Sequence, residues 1–247
     1  MITEQSDSLH VEGLVNLRDL GGLPIEAGGH THFGRLLRSD SPHHLDEAGA
    51  RALADAGVST VVDLRTDSER AERPNLLVSV GKMRGVSAPI FNDDDEFPSS
   101  LTTATDVYCW WLSDLGVGIR AAMAAIADAP SAPILVHCHA GKDRTGVVVA
   151  LVLLLAEVGV DEIADDYAQS GVQLADMLAR DRVSAVERGM DAVRAERLFT
   201  VRREAMVETV ERIDSDHGGA AQYLAGLGVD EERIGRLRQL LVAPEWP

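Results

Sequence analysis

Apolar residues along the chain follow two kinds of repeat, one typical of short buried strands and one typical of helices. Residues 58–64 (VSTVVDL) and 133–137 (PILVH) are short apolar runs that predict buried strands. A further short strand is predicted around residues 83–90. Residues 46–56 have helical spacing and end at Gly57, a residue typical of helix C-termini. The first half of the chain is therefore predicted to contain both helices and strands.

Longer helical patterns fill most of the remaining sequence. Apolar residues recur at helical spacing over residues 106–128, which predicts one long helix. Residues 145–158 are apolar on every side, as in a helix buried in the core. Residues 91–100 (FNDDDEFPSS) are predicted to form an exposed loop. Charged amphipathic helices are predicted beyond Gly159, at residues 161–169, 172–188, 196–213 and 231–241.

Strand, tight loop and buried helix in succession predict an α/β fold with a mostly parallel central sheet flanked by helices. No internal repeat or long Pro/Gly/Ser linker divides the sequence, so we expect a single domain over residues 1–247. The helices after Gly159 are expected to cover one face of the sheet or to form a mobile lid. The pattern alone does not choose between these two arrangements.

Composition and charge limit the classes of partner. The chain has 40 acidic and 23 basic residues, a formal net charge of -17, which disfavours nucleic acid and anionic membranes as general partners. Its longest apolar run, residues 147–156, is about half the length of a membrane span. The N-terminal residues 1–12 lack the features of a secretory signal. We expect a cytoplasmic protein without a stable membrane span, and export by a route that leaves no N-terminal signal stays open.

Residues whose side chains could take part in catalysis are concentrated at positions 137–146, HCHAGKDRTG, between a predicted strand and the buried helix. Cys138 is followed six places later by Arg144, a spacing that is weak evidence by itself. Ala140 and Gly141 are small enough to let the backbone turn its N–H groups inward, and the helix behind them presents its positive N-terminal end. Together these features predict a loop that wraps an anion.

Each polar side chain of this loop has a chemical role in that interpretation. Inward N–H groups and the helix dipole favour the thiolate of Cys138, which is then a nucleophile at neutral pH. Arg144 is placed to bind two oxygens of a phosphoryl group. Thr145 is expected to donate its hydroxyl to the sulfur, and Lys142 to add a positive charge at the rim.

The loop resembles the signature loop of cysteine-dependent protein tyrosine and dual-specificity phosphatases. It is most similar to the bacterial group of the mycobacterial protein tyrosine phosphatase B type, which has the same AGKDRTG run. Further matches are NLRDLGG at 16–22, RLLRS at 35–39, VDLR at 62–65, QYL at 222–224 and GV at 228–229. The resemblance therefore spans most of the chain.

This resemblance implies a phosphatase-type α/β fold, a cysteinyl-phosphate intermediate, and helical lid or cover elements over about residues 160–215 of the single domain. It assigns catalytic roles to Cys138, Arg144 and Asp143, with Asp143 as the general acid. Asp63 and the acidic cluster at 93–95 stay open as alternative acids. The expected substrate-binding residues all lie in the loop: His139, Ala140, Gly141, Lys142, Thr145 and Gly146. The expected supporting residues are His137, Asp63 and Arg65.

We therefore expect a phosphomonoester hydrolase of the protein tyrosine or dual-specificity phosphatase type. Phosphoinositides are a further candidate substrate class. Its expected partners are proteins carrying phosphotyrosine or phosphoserine, phosphoinositides, and a phosphate or other oxyanion in the loop. A catalytically silent phosphate-binding module is the alternative, since the same loop would bind phosphoproteins without hydrolysing them. No metal or other cofactor is expected, because the consecutive residues His137, Cys138 and His139 cannot easily converge on one ion.

Overall fold

A mixed sheet lies at the centre of the protein, in a computed structural model that describes residues 10–74, 76–80 and 82–243. Its strands are β1 (Arg18–Asp19), β2 (Leu36–Ser39), β3 (Thr60–Asp63), β4 (Arg84–Ser87) and β5 (Ile134–His137). They lie in the order β1-β2-β5-β3-β4, and all neighbouring pairs are parallel except β1 with β2. The predicted α/β fold with a mostly parallel sheet is confirmed.

The described residues form helices around this sheet. The helices are α1 (Glu47–Asp55), α2 (Asp67–Glu72), α3 (Ala104–Asp114), α4 (Gly116–Ala127), α5 (Asp143–Leu155), α6 (Val160–Gln173), α7 (Ala175–Glu187), α8 (Ala192–Phe199), α9 (Arg203–His217), α10 (Ala220–Gly226) and α11 (Glu231–Leu240). None of them combines the length and apolar character needed to cross a bilayer. Residues 1–9 and 244–247 lie outside the described part of the chain. The first range includes most of the N-terminal segment that is predicted to lack a secretory signal.

Helix α5 runs through the core, as its uniformly apolar sequence predicts. All residues from 144 to 153 are buried, and the helix begins directly after the loop that follows β5. Strand β5 is itself buried at every position and lies between β2 and β3. The loop between β5 and α5 is therefore held at both ends by the most buried elements of the fold.

The sheet register brings the carboxyl ends of three parallel strands together. Ser39 at the end of β2 and Asp63 at the end of β3 both lie beside His137 at the end of β5. Ligand sites in open α/β sheets lie beyond this edge. The chemistry-bearing loop begins there, one residue after His137.

Two predicted helices are each interrupted. The helix predicted over 106–128 is divided between α3 and α4, because α4 begins in close contact with other backbone. A Cβ atom added to Gly118 would lie 2.2 Å from the carbonyl oxygen of Ile90, and one on Gly116 would lie 2.4 Å from the Leu227 side chain. The pattern over 196–213 is likewise divided, since residues 200–202 separate α8 from α9.

Candidate active site

The loop after β5 folds back over the sulfur of Cys138. The Gly141 N–H donates to Cys138 Sγ at 3.2 Å, and only 2% of Cys138 is exposed. Gly141 has φ +67°, and a Cβ atom there would lie 2.1 Å from the carbonyl oxygen of Ser39. A glycine is required at this position for both reasons, backbone conformation and space.

Three successive carbonyl groups of the loop accept hydrogen bonds from other parts of the fold. His139 O accepts from the Ser41 N–H at 2.8 Å, Ala140 O from Asn16 Nδ2 at 3.0 Å, and Gly141 O from Arg38 Nη2 at 2.7 Å. In a planar trans peptide the next N–H points opposite to the carbonyl. The Gly141 N–H, which follows the Ala140 carbonyl, accordingly points to the sulfur, and N–H groups turned inward in this way suit an anion.

Arg144, on the first turn of α5, is oriented by Glu69 of α2. Its Nη1 and Nη2 atoms donate to the two Glu69 carboxylate oxygens at 2.5 and 2.8 Å, and Nη1 also donates to Leu64 O at 3.3 Å. Within the described residues no hydrogen bond engages Nε or the second proton of Nη2. These two donors share the remaining edge of the guanidinium, which can bind a phosphoryl group in bidentate fashion.

The Glu69 carboxylate stays ionised in this pair. Burial favours its neutral form, but the hydrogen bonds and positive charge of Arg144 outweigh burial and lower the pKa of Glu69. The guanidinium also lies over the Phe91 ring, 4.9 Å from its centroid. Sequence reasoning did not identify Glu69 as a site residue; its Thr66–Glu69 capping box signals only the start of α2.

A cavity of about 330 Å³ opens above Cys138 and Arg144. Its walls are mostly apolar, and His139, Ala140, Lys142 and Asp143 also line it. Gly141, Thr145 and Gly146, which were expected to bind substrate, do not line it. The Gly146 backbone instead lies against the Tyr167 ring.

Asp143 lines this cavity and is bound on one of its carboxylate oxygens. Tyr108 Oη donates to Asp143 Oδ1 and is itself 2.7 Å from Tyr167 Oη. Lys142 Nζ lies 3.2 Å from the same oxygen. The other oxygen, Oδ2, has no hydrogen-bond partner among the described residues, so it is free to meet a bound ligand.

Lys142 does not stand at an exposed rim, as its charge had suggested. Its side chain is buried, and Nζ donates to the carbonyl oxygen of Leu198 in α8 at 3.1 Å. The loop lies beneath α8, which covers the ammonium group. Lys142 therefore ties the loop to the helices above it.

His137, Asp63 and Arg65 form a buried cluster behind the sulfur. His137 Nδ1 lies 3.2 Å from Cys138 O, and its Nε2 lies 3.5 Å from Asp63 Oδ2. Arg65 Nη2 donates to the same Asp63 oxygen at 2.7 Å. Burial lowers the pKa of His137, against the pull of Asp63. The Thr145 hydroxyl is also buried, without a hydrogen-bond partner in the described part of the chain.

The acidic residues proposed as alternative acids lie elsewhere. Asp93 accepts from the Ser68 N–H at 3.0 Å at the start of α2, and Asp95 accepts from the Asn92 N–H at 2.6 Å. Neither these two, nor Asp94, nor Asp63 lines the cavity. Asp181 of α7 does line it, with Oδ2 3.8 Å from His139 Nε2. No local sequence signal points to Asp181, because α7 reaches the loop only through the tertiary fold.

His139 lies between the cavity and two charged side chains. Its Nδ1 is 3.4 Å from Arg73 Nη1, opposite the contact of Nε2 with Asp181. Burial lowers the pKa of His139, and the nearby carboxylate of Asp181 opposes that shift. No group of His, Cys, Asp or Glu side chains among the described residues is arranged to hold a metal ion.

Comparison with known proteins places this site in a family context. A family model described as "Tyrosine phosphatase family" matches residues 9–243. The chain is similar to the triple specificity protein phosphatase PtpB of Mycobacterium tuberculosis, with 27% identity over an alignment 252 residues long. The alignment covers 85% of this chain and 91% of that protein. It is also similar to a tyrosine-protein phosphatase of Nostoc commune, with 31% identity over 217 residues, 82% of this chain and 72% of that protein.

Proposed function

The chain belongs to the tyrosine phosphatase family and is a phosphatase, and from that premise we propose that it acts through a covalent cysteinyl-phosphate on Cys138. The observation that carries this proposal is the shape of the loop. Its carbonyls at residues 139–141 are held by other parts of the fold, its Gly141 N–H donates to the sulfur, and one edge of the Arg144 guanidinium is free. Such donors stabilise charge as it moves onto the phosphoryl oxygens in the transition state.

In the first step, the Cys138 thiolate attacks phosphorus and forms an S–P bond. The P–O bond to the leaving group breaks, and its electron pair stays on the leaving oxygen. Asp143 supplies the proton to that oxygen. We assign this proton to Oδ2, because Oδ1 already accepts from Tyr108 and faces Lys142.

In the second step, water attacks phosphorus and the S–P bond breaks, which restores the thiolate and releases inorganic phosphate. Asp143, now ionised, accepts the proton from the attacking water. His137, Asp63 and Arg65 lie behind the loop and support it in this scheme, and no metal takes part.

The walls of the cavity favour an aryl phosphate such as phosphotyrosine. Phe91, Phe97, Tyr108, Trp111 and Phe199 all line it. A phenyl ring above the loop would contact these side chains, whereas a phosphoserine side chain is too short to reach them. Phosphoserine and phosphoinositides are the further substrates that we propose to test, since one similar protein is named a triple specificity phosphatase.

We also propose that α7 and α8 act as a lid within a single domain. The two helices pack against each other, and the cavity is lined by Leu178 of α7, Leu198 of α8 and Met190 between them. Amide hydrogen exchange over residues 175–199 should slow when orthovanadate binds. Unchanged exchange across both helices would exclude a lid that closes on the ligand.

Hydrolysis of p-nitrophenyl phosphate in the presence of a metal chelator tests the proposed function. We expect turnover by the native protein, no turnover by Cys138→Ser, and native turnover by the matched control Cys109→Ser on α3. Undiminished activity of Cys138→Ser would overturn the mechanism. Phosphate binding without any turnover would instead indicate a silent binding module.

A further inference from the structure

Asp166 lies at the centre of a buried hydrogen-bond chain behind the catalytic loop. This carboxylate belongs to α6 and is held between two arginines. Its Oδ1 accepts from Arg18 Nε at 2.6 Å, and its Oδ2 accepts from Arg38 Nη1. The Arg38 side chain is 1% exposed and the Arg18 side chain 10% exposed. One anion therefore balances two cations away from water.

Both arginines connect Asp166 to carbonyl groups of the loop. Arg38 Nη2 donates directly to Gly141 O at 2.7 Å. Arg18 Nη1 donates to Asn16 Oδ1 at 2.6 Å, and Asn16 Nδ2 donates to Ala140 O at 3.0 Å. The chain of bonds thus reaches two successive carbonyls from opposite ends. The Ala140 carbonyl belongs to the same peptide group as the Gly141 N–H that donates to the sulfur.

Charge explains why Asp166 is needed between the arginines. Burial favours the neutral form of Asp166, but Arg38 and Arg18 outweigh it and lower its pKa. Burial and the nearby Arg38 lower the pKa of Arg18 to about 10, an effect that Asp166 opposes. Without this carboxylate, two buried guanidinium groups would repel each other and turn away from their present partners.

We propose that Asp166 is a positioning residue for catalysis: it fixes the arginines that turn the Ala140 and Gly141 carbonyls outward, and so sets the anion affinity of the loop. This inference rests on the proposed function, and Asp166 does not touch the substrate. Arg18 also contacts Ser170 Oγ and Gln173 Oε1, each at 3.2 Å, on the same helix. Helix α6 continues through Leu174 into α7, so the same network links the loop to the helices above the cavity.

The test uses Asp166→Asn, which keeps the size of the side chain and removes its charge. We expect orthovanadate affinity, measured by calorimetry, to fall at least about tenfold, the effect of losing one or more backbone hydrogen bonds to a charged ligand. Cys138 should also be alkylated by iodoacetamide at a different rate at a fixed pH, because the Gly141 N–H that contacts the sulfur belongs to the same peptide group as the Ala140 carbonyl. Asp165→Asn is the matched control, since Asp165 is the adjacent residue of α6 and pairs with Arg203 at the surface.

A folded Asp166→Asn protein with native vanadate affinity and a native alkylation profile would overturn the inference and leave Asp166 a purely structural residue. If Asp166→Asn does not fold, the variant Asn16→Ala tests the inference instead, because it removes the donor to Ala140 O and leaves both ion pairs of Asp166 in place. Native vanadate binding and alkylation by that variant would then reject the inference. Neither readout requires turnover. A protein that hydrolyses no phosphomonoester but shows these shifts would refute the proposed function alone.

Discussion

Glu69 holds Arg144 by the end of its guanidinium, with Nη2 2.8 Å from Oε1 and Nη1 2.5 Å from Oε2. The two residues are 75 positions apart in the sequence and belong to different helices. Because the side edge of the guanidinium stays free, Glu69 orients Arg144 for a phosphoryl group instead of competing with it.

Glu69→Gln should therefore lower kcat/KM by about tenfold, through loss of one charged hydrogen bond to Arg144. Steady-state kinetics with p-nitrophenyl phosphate measure this effect. Glu72→Gln, at an exposed position of the same helix, serves as the control and should leave kcat/KM unchanged. Tighter phosphate binding by Glu69→Gln would instead mean that the carboxylate competes with the substrate.

Asp143→Asn should have an effect that depends on the leaving group. A general acid contributes about 100-fold or more when the leaving oxygen is basic, and less when it is not. We expect kcat/KM, which reports the step that releases the leaving group, to fall far more for phenyl phosphate than for p-nitrophenyl phosphate, whose leaving group departs without a proton. Asp181→Asn is the comparison, since Asp181 also lines the cavity. If Asp181→Asn alone shows the leaving-group dependence, the general acid is Asp181.

Gly141→Ala should abolish vanadate binding and destabilise the protein. The new methyl group would meet the backbone of Ser39 at 2.1 Å, and the left-handed conformation of Gly141 is costly for alanine. Gly235→Ala is the opposite case, because nothing lies within 4 Å of its Cβ position in α11. That substitution should raise the free energy of unfolding by roughly 0.5–1 kcal/mol. Urea unfolding measures the change in the free energy of unfolding for both variants. A Gly141→Ala protein that is stable and binds vanadate would refute the claim that this position requires glycine.

His43 should contribute to the loss of stability in mild acid. Burial, followed by the positive charge of His44, lowers the pKa of His43 to about 4, against 6.5 in the unfolded chain. Between these two pH values the unfolded state binds a proton that the folded state does not, so stability falls as pH falls through this window.

His43→Asn should reduce that loss, because the asparagine amide can still donate to Ser41 O and does not titrate. Urea-unfolding midpoints at pH 7 and pH 5 measure the difference, with His30→Asn at an exposed position as the control. The same acid sensitivity in His43→Asn as in the native protein would show that other groups account for it.

The sequence predicts the strand, loop and helix around Cys138 well because their signals are local. The apolar run of β5, the small residues of the loop and the uniformly apolar α5 each show in a short window. The break between α3 and α4 is different in kind. It follows from the close approach of Gly118 to the Ile90 backbone, which no local pattern reveals.

The groups that orient the site were missed for a related reason. Asp166 lies 128 positions from Arg38, and only the sheet topology and the placement of α6 bring them together. The buried position of Lys142 likewise depends on α8 lying above the loop. Charge and residue type identify candidate chemistry in the sequence, whereas the pairing of those charges is a property of the tertiary fold.

Trapping of the phosphoenzyme tests the central claim most directly. The protein is mixed with p-nitrophenyl phosphate, quenched in acid during turnover, and digested for peptide mass spectrometry. The account predicts a phosphoryl group on the sulfur of Cys138, absent from Cys138→Ser. A phosphoryl group on any other residue, or continued turnover by Cys138→Ser, would contradict it.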